Sequence, residues 1–195
     1  FQFSEAQVVA PDTYEVSVRL RGQLGTDGIM PLEWPSGSTV VLLDLALAQI
    51  DLAASARGLT RYYRIGIASR GYDDSNAILR TEAFDGVGLR PYSVAHLRAT
   101  DISGDLLFTW KRRTRVEGDS WQSAEVPLAE ENEAYLIRVI LSDTIVAEYT
   151  VSQTAFTYTA TMRGADGVSG TFEVAVAQLS SSFGPGPFRM IRLVS

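Results

Sequence analysis

The side chains able to carry acid–base, nucleophilic or metal chemistry are few and scattered. Cysteine is absent and histidine occurs once, as His96. Disulfides, thiolate metal sites and cysteine nucleophiles are therefore excluded, and a histidine triad or zinc centre lacks its partners. His96 lies between Ala95 and Leu97 in a strand-like stretch, where it reads as a surface or edge residue. Asp73-Asp74-Ser75-Asn76 offers oxygens to Ca²⁺, but neither Gly nor a distant Glu completes a known calcium loop. Asx side chains stabilising a turn account for it better. A glycosidase needs two carboxyls facing each other across a cleft, whereas neighbours on a strand point to opposite faces. Gly22-Gln23-Leu24-Gly25 and Gly164–Gly170 are not followed by Gly-Lys-Ser/Thr, so neither is a phosphate loop. No catalytic, cofactor-binding or metal site is expected, and the chain reads as non-enzymatic.

Binding chemistry has better candidates. Lys111-Arg112-Arg113-Thr114-Arg115 is the dense basic run. It reads either as a patch for anionic glycans or lipid headgroups, or as partners for the acids that follow, Glu117, Asp119, Glu130, Glu131 and Glu133. The second reading suits an acidic chain better. Trp34, Trp121, Tyr62, Tyr63 and Tyr72 could stack on sugar C–H faces, although aromatic residues also fill cores and interfaces. Trp121 leads this group because it sits on a polar insertion. The expected surface or glycan contacts are accordingly Trp121, Trp34, Tyr72, Arg113 and Arg115.

The elements that must position these residues are strands. Tyr14, Val16, Val18 and Leu20 alternate with Glu15, Ser17 and Arg19. Gly22–Gly28 is a turn or loop. A second strand is expected from Thr39 to about Leu47, with a helix over Leu45–Ile50 as the weaker alternative. Ala53–Ala56 suits one helical turn ended by Gly58. Thr60–Ile67 and Ala77–Phe84 read as strands joined by a hairpin-like connection at Gly71–Asn76. Asp85–Pro91 looks like a linker, which divides the chain into a β-rich domain at 1–87 and a second domain at 88–195. In the latter, strands are expected at Val94–Ala99, Asp105–Arg112, Tyr135–Leu141, Ile145–Ser152, Ala155–Thr161, Thr171–Leu179 and Arg189–Val194. Seven short strands with regular turns describe an antiparallel sandwich. Leu106, Phe108 and Trp110 share one strand face and form its expected core.

Composition agrees with an all-β protein of ordinary solubility. Of 195 residues, 46% are hydrophobic and 21% charged, and mean hydropathy is near zero. The formal net charge is −6, divided evenly between the halves, so neither half suits nucleic acid or an acidic membrane. Lysine occurs once, at Lys111. No stretch approaches the roughly 20 apolar residues of a membrane-spanning helix, and no membrane insertion is expected. The opening Phe1 suggests a piece of a longer polypeptide, or else a cleaved or engineered start.

The run P-Y-S-V-A-H-L-R-A-T-D-I-S-G-D-L-L-F-T-W, Pro91 to Trp110, resembles the opening of a fibronectin type III domain. Pro91, Val94 and Leu97 match the first strand of that family; Leu106, Phe108 and Trp110 match the inward face of the second, with Trp110 at the core tryptophan. Phe172 to Pro187 resembles the sixth strand and the Gly/Pro-rich loop after it. Phe172 stands where a tyrosine often sits, and Arg113–Glu133 is an unusually long insertion.

Three phrases carry a wider resemblance: R-L-R-G-Q-L-G-T (Arg19–Thr26), A-R-G-L-T-R-Y-Y-R-I-G (Ala56–Gly66) and G-D-S-W-Q-S-A-E-V-P-L (Gly118–Leu128). They resemble the C-terminal region of the large tail-tip, or host-specificity, protein of phage-like gene transfer agents and siphophage tails. That resemblance implies a non-catalytic module of a tail tip or baseplate, contributing to tip assembly and cell-envelope attachment. It also implies a homotrimer in the full-length protein, other tail and baseplate proteins as partners, bacterial surface glycans as contacts, and the virion or gene transfer agent particle as location. The alternative is a carbohydrate-binding accessory module of a secreted bacterial enzyme. An upstream reading frame encoding tail proteins or a polysaccharide hydrolase would separate the two.

Overall fold

A computed structural model describes residues 1–28, 30–45, 47–118 and 125–194. The chain falls into two compact units, one made of Phe1–Leu32 with Arg90–Ser195 and the other of Glu33–Leu89. This differs from a division at 87/88, because the first 32 residues group with the sandwich. The reason is close packing around residues 22–28. A Cβ added at Gly25 would run into the Tyr92 ring, one at Gly28 into Pro187, and Asp27 pairs with Arg113.

The chain begins with an antiparallel hairpin, β1 (Gln2–Ala10) and β2 (Thr13–Leu20). Asp12 takes φ +54 in its two-residue turn, a left-handed position that Asp tolerates, after Pro11, whose ring holds φ negative. Ala6 faces Val16 and Val8 faces Tyr14, whereas Gln7 faces Glu15 and Glu5 faces Ser17. One face of the hairpin is therefore apolar and the other polar, and nearly every residue on both is exposed. A 3-10 turn over Gln23–Gly28 follows.

The Glu33–Leu89 unit contains a second hairpin, β3 (Arg61–Ile65) and β4 (Ile78–Glu82), in register from Arg61/Glu82 to Ile65/Ile78. Ala54–Ala56 forms a 3-10 turn, with Gly58 at φ +69 donating to the Phe84 carbonyl. The strand expected at Thr39–Leu47 does not form among the described residues of that stretch. Strand-like composition cannot supply a neighbouring backbone, and within this unit β3 and β4 pair only with each other. Val40, Val41, Leu42, Leu43 and Leu45 are left exposed.

The remainder is a sandwich. Its strands are β5 (Ala95–Ile102), β6 (Asp105–Lys111), β7 (Tyr135–Leu141), β8 (Thr144–Val151), β9 (Ala155–Tyr158), β10 (Thr171–Ser180), the short β11 (Gly184–Pro185) and β12 (Arg189–Val194). One sheet runs β5-β6-β9; the other runs β8-β7-β10, with β12 and β11 on β10, every pairing antiparallel. This all-β, fibronectin type III-like arrangement buries one cluster between the sheets: Phe108 and Trp110 from β6, Phe156 and Tyr158 from β9, Tyr135, Ile137 and Val139 from β7, and Phe172, Val174 and Val176 from β10. Leu106 is half-buried at the edge of this cluster. Burying each such side chain stabilises the fold by about 1.5–3 kcal/mol.

Local turn chemistry fixes the registers. Ser103 and Gly104 both have positive φ between β5 and β6, as do Ser142 and Asp143 between β7 and β8. These are two-residue hairpin turns. Asp101 accepts the Gly104 N–H at 3.0 Å. The strand expected over Ala155–Thr161 ends at Tyr158, and a short helix, α1 (Ala160–Ala165), begins there. Thr159 caps it by accepting the Met162 N–H, and Asp105 at the start of β6 accepts the Ala160 N–H at 2.8 Å.

Candidate functional site

The groove beside the β3–β4 connection combines cations, an aromatic face and free space. Residues 66–77 leave β3 and return to β4 through three tight turns, with Arg70, Asp74 and Ala77 N–H groups donating to the Ile67, Gly71 and Asp74 carbonyls. Asp74 organises the loop. Its Oδ1 accepts from the Asn76 backbone and side-chain amides, while Oδ2 faces Arg70 at 3.4 Å. Arg64 donates to the Asp74 carbonyl at 2.6 Å and lies 4.7 Å over the Tyr72 ring. The groove is open to solvent and offers about 240 Å³, lined by Arg64, Ile67, Arg70, Tyr72, Asp74 and neighbouring small residues. Tyr72 is 86% exposed and Tyr62 is 83% exposed. Tyr63 instead packs edge-on against Phe84.

The basic run is spent on structure. Arg112 pairs with Glu133 at 3.2 Å, reaches Glu125 at 3.8 Å, and donates to the Val126 carbonyl. Arg115 pairs with the nearly buried Glu130 at 3.3 Å and lies over Phe183. Arg113 pairs with Asp27 at 2.8 Å and lies over Tyr92. These contacts tie the insertion after β6 to its own acids and to the 3-10 turn at residues 23–28. Glu131 fastens the far side, its two carboxylate oxygens accepting from Ser181 and Ser182. Those hydroxyl bonds, Ser182 first, hold its carboxyl down to about 2.

Sequence reasoning misses a carboxylate at the opposite end of the sandwich. Tyr149 of β8 and Tyr158 of β9 both donate to Oδ2 of Asp166, at 2.5 and 2.7 Å. Asp166 also caps the C-terminus of α1 through its backbone N–H. Burial and then Asp166 push the Tyr149 phenol up to about 12, and the same causes raise Tyr158. Burial, followed by the hydrogen bond to Glu133, raises Tyr135. No spacing in the sequence marks this cluster, since its members come from β8, β9 and the end of α1. The one hint is the polar tip that a buried tyrosine must satisfy.

Other expected contacts are dispersed. Trp34 is exposed in the Glu33–Leu89 unit, and Trp121 lies outside the described residues. His96 has φ +54 and is exposed where the β5–β6 register shifts between Ala95 and Arg98, which marks a β-bulge. Trp110 is 2% exposed and meets Tyr135 edge-on at 5.2 Å. Among the described residues, no group of three or more His, Asp or Glu side chains could hold a metal ion. None of the described helices is long and apolar enough to cross a membrane.

A family profile described as "Rcc01698-like, C-terminal" matches residues 1–41. No curated protein matches the sequence. Among solved structures, domains d3-d4 of the rat CD45 extracellular region align over 98% of this chain and 94% of theirs, at 10% identity and TM-score 0.40. A protein described as FN3tt mut aligns over 53% of this chain and 94% of its own, at 16% identity and TM-score 0.37. The fibronectin type III domain of human fibronectin type III domain containing protein 3 aligns over 54% and 86%, at 14% identity and TM-score 0.36.

Proposed function

We propose that the chain is a non-catalytic structural and interaction module of a phage-like, gene transfer agent-type tail tip or baseplate, contributing to tip assembly and cell-envelope attachment. In this reading it works beside other tail proteins, as part of a homotrimeric full-length protein, on the particle. The observation that carries the reading is an overlap. The profile match over residues 1–41 contains Arg19–Thr26, one of the three phrases that resemble tail-tip proteins.

Two physical features support it. The β1–β2 hairpin presents an apolar face that this chain leaves exposed, and such faces suit assembled proteins better than isolated ones. Arg112, Arg113 and Arg115 of the basic run are paired with carboxylates, so they stabilise the insertion and leave less charge for a headgroup or nucleic acid.

Particles assembled without this segment test the proposal. They should either fail to form a complete tip or form one and lose attachment to cells. The purified segment should leave peptidoglycan and capsule intact. Normal assembly and adsorption by truncated particles would overturn the tail-tip role, and polymer cleavage by the segment would overturn its non-catalytic character.

A further inference from the structure

We infer that the groove beside the β3–β4 connection binds a carboxylate-bearing sugar unit of an acidic polysaccharide. The inference deepens the envelope-attachment role by naming a ligand class and a place, but its argument stands on the groove alone.

Charge supplies the first step. The chain carries −6 overall, yet Arg64 and Arg70 both line the groove, with Asp74 in the lining and Asp73 Oδ1 beside Gly71 as the acids near them. The Asp74 carboxylate already serves the Asn76 amides and Arg70. Arg64 is held by one bond from a terminal nitrogen to the Asp74 carbonyl, and its other N–H groups have no partner among the described residues. A guanidinium fixed in this way retains planar donors suited to a carboxylate. Arg70 is half exposed, and its contact with Asp74 is long at 3.4 Å, so an incoming anion competes for it at little expense.

The aromatic residues narrow the ligand. Tyr72 has a guanidinium over its ring and yet remains 86% exposed. Tyr62 shares the Arg64 face of β3, two residues away, and is equally open. Flat exposed rings beside cations match a ligand with C–H faces and an acidic group. A free phosphate would use the arginines and gain nothing from the rings. An uncharged sugar would use the rings and leave the guanidinium N–H groups unanswered. The volume of about 240 Å³ fits one sugar ring of a longer chain.

The test is an NMR titration of the ¹⁵N-labelled 195-residue protein with tri-galacturonate, using cellotriose as the neutral probe and inorganic phosphate as the bare anion. Tri-galacturonate should shift residues 62–78 saturably at millimolar concentrations, and more salt should weaken it. Cellotriose and phosphate should each bind at least about tenfold more weakly. Tyr72→Ala and Arg70→Gln should each weaken tri-galacturonate about tenfold, whereas Tyr72→Phe should retain it. Parent-like shifts for the β3 and β4 amides, residues 61–65 and 78–82, establish that each free variant keeps the hairpin. Equal binding of cellotriose, equal binding of phosphate, full affinity in Tyr72→Ala, or no saturable shift would each overturn the site. Particle assembly does not enter the readout, so this result and the tail-tip test fail separately.

Discussion

Arg113 and Asp27 meet at 2.8 Å although 86 positions separate them in sequence. Asp27 belongs to the 3-10 turn after the first hairpin and Arg113 to the insertion after β6, so one ion pair joins the chain's opening to its sandwich. The Arg113 guanidinium also lies 5.4 Å from the Tyr92 ring centre. Both partners remain partly exposed. A double-mutant cycle of Asp27→Ala with Arg113→Ala should give a coupling of roughly 0.5–1 kcal/mol. A coupling indistinguishable from zero in denaturant titrations would remove the pair from the account of how the first 32 residues dock.

Gly25 carries more of that docking. It has φ +75, and the Tyr92 ring occupies the place of its missing Cβ. Gly25→Ala therefore combines backbone strain with a clash and should cost roughly 1–3 kcal/mol. Hydrogen exchange should quicken first at residues 21–28, with the β6, β7 and β10 core still protected. Uniform loss of protection across the sandwich would contradict local docking.

Trp110→Ala or Phe108→Ala in the sandwich core should each lower stability by roughly 3–5 kcal/mol, because both side chains are buried between the sheets. A domain of this kind has about 5–15 kcal/mol in all. Chemical denaturation of the 195-residue chain should show the midpoint fall sharply. An unchanged midpoint in either variant would be inconsistent with the core described.

Alkali should unfold the protein through its tyrosines. Tyr149 is raised to about 12, so its folded form holds its proton where the unfolded form, near 10, releases it. The associated stability is present below pH 10 and is lost as pH rises toward 12. Tyr158 and Tyr135 act in the same direction. Tyr149→Phe should flatten the alkaline limb of a stability–pH curve. An identical limb in that variant would place the sensitivity elsewhere.

Acid should release the far side of the insertion. The Glu131 carboxyl is held at about 2 in the folded protein against 4.5 for the ordinary group. Its contribution is present above pH 4.5 and disappears as pH falls toward 2. Exchange at residues 131 and 181–183 should rise over that window, and Glu131→Gln should show high exchange at neutral pH. Protection in Glu131→Gln equal to the parent would remove the carboxylate from that role.

The sandwich was readable in advance because its information is local. Leu106, Phe108 and Trp110 alternate within one strand, so its inward face can be inferred from a few residues, whereas the turns at Ser103-Gly104 and Ser142-Asp143 and the pairings they set come from the structure. Thr39–Leu47 failed for the complementary reason. Its composition suits a strand, but pairing is a property of what lies alongside. The β1 strand is not legible from sequence alone, since Ser4-Glu5-Ala6-Gln7 holds no apolar alternation until β2 is placed against it. Of the groove residues, Tyr72 is visible by type, whereas Arg64 and Arg70 become its neighbours only when the 66–77 loop folds back. Asp166 could not be found at all without three elements in place.

The position of Gly28 has a consequence for how this chain can be rebuilt. A Cβ there would sit 3.5 Å from that of Ser93, so the backbone departs for the Glu33–Leu89 unit beside the point where it comes back. That unit is thus a cassette carried on a closed loop, and its removal leaves two ends already adjacent. A splice joining residue 32 to residue 90 through a few glycines shortens the loop about eightfold and lowers the entropy of closing it by roughly 2 kcal/mol. The same adjacency lets other sequences be grafted between these ends while the hairpin and the sandwich stay as they are.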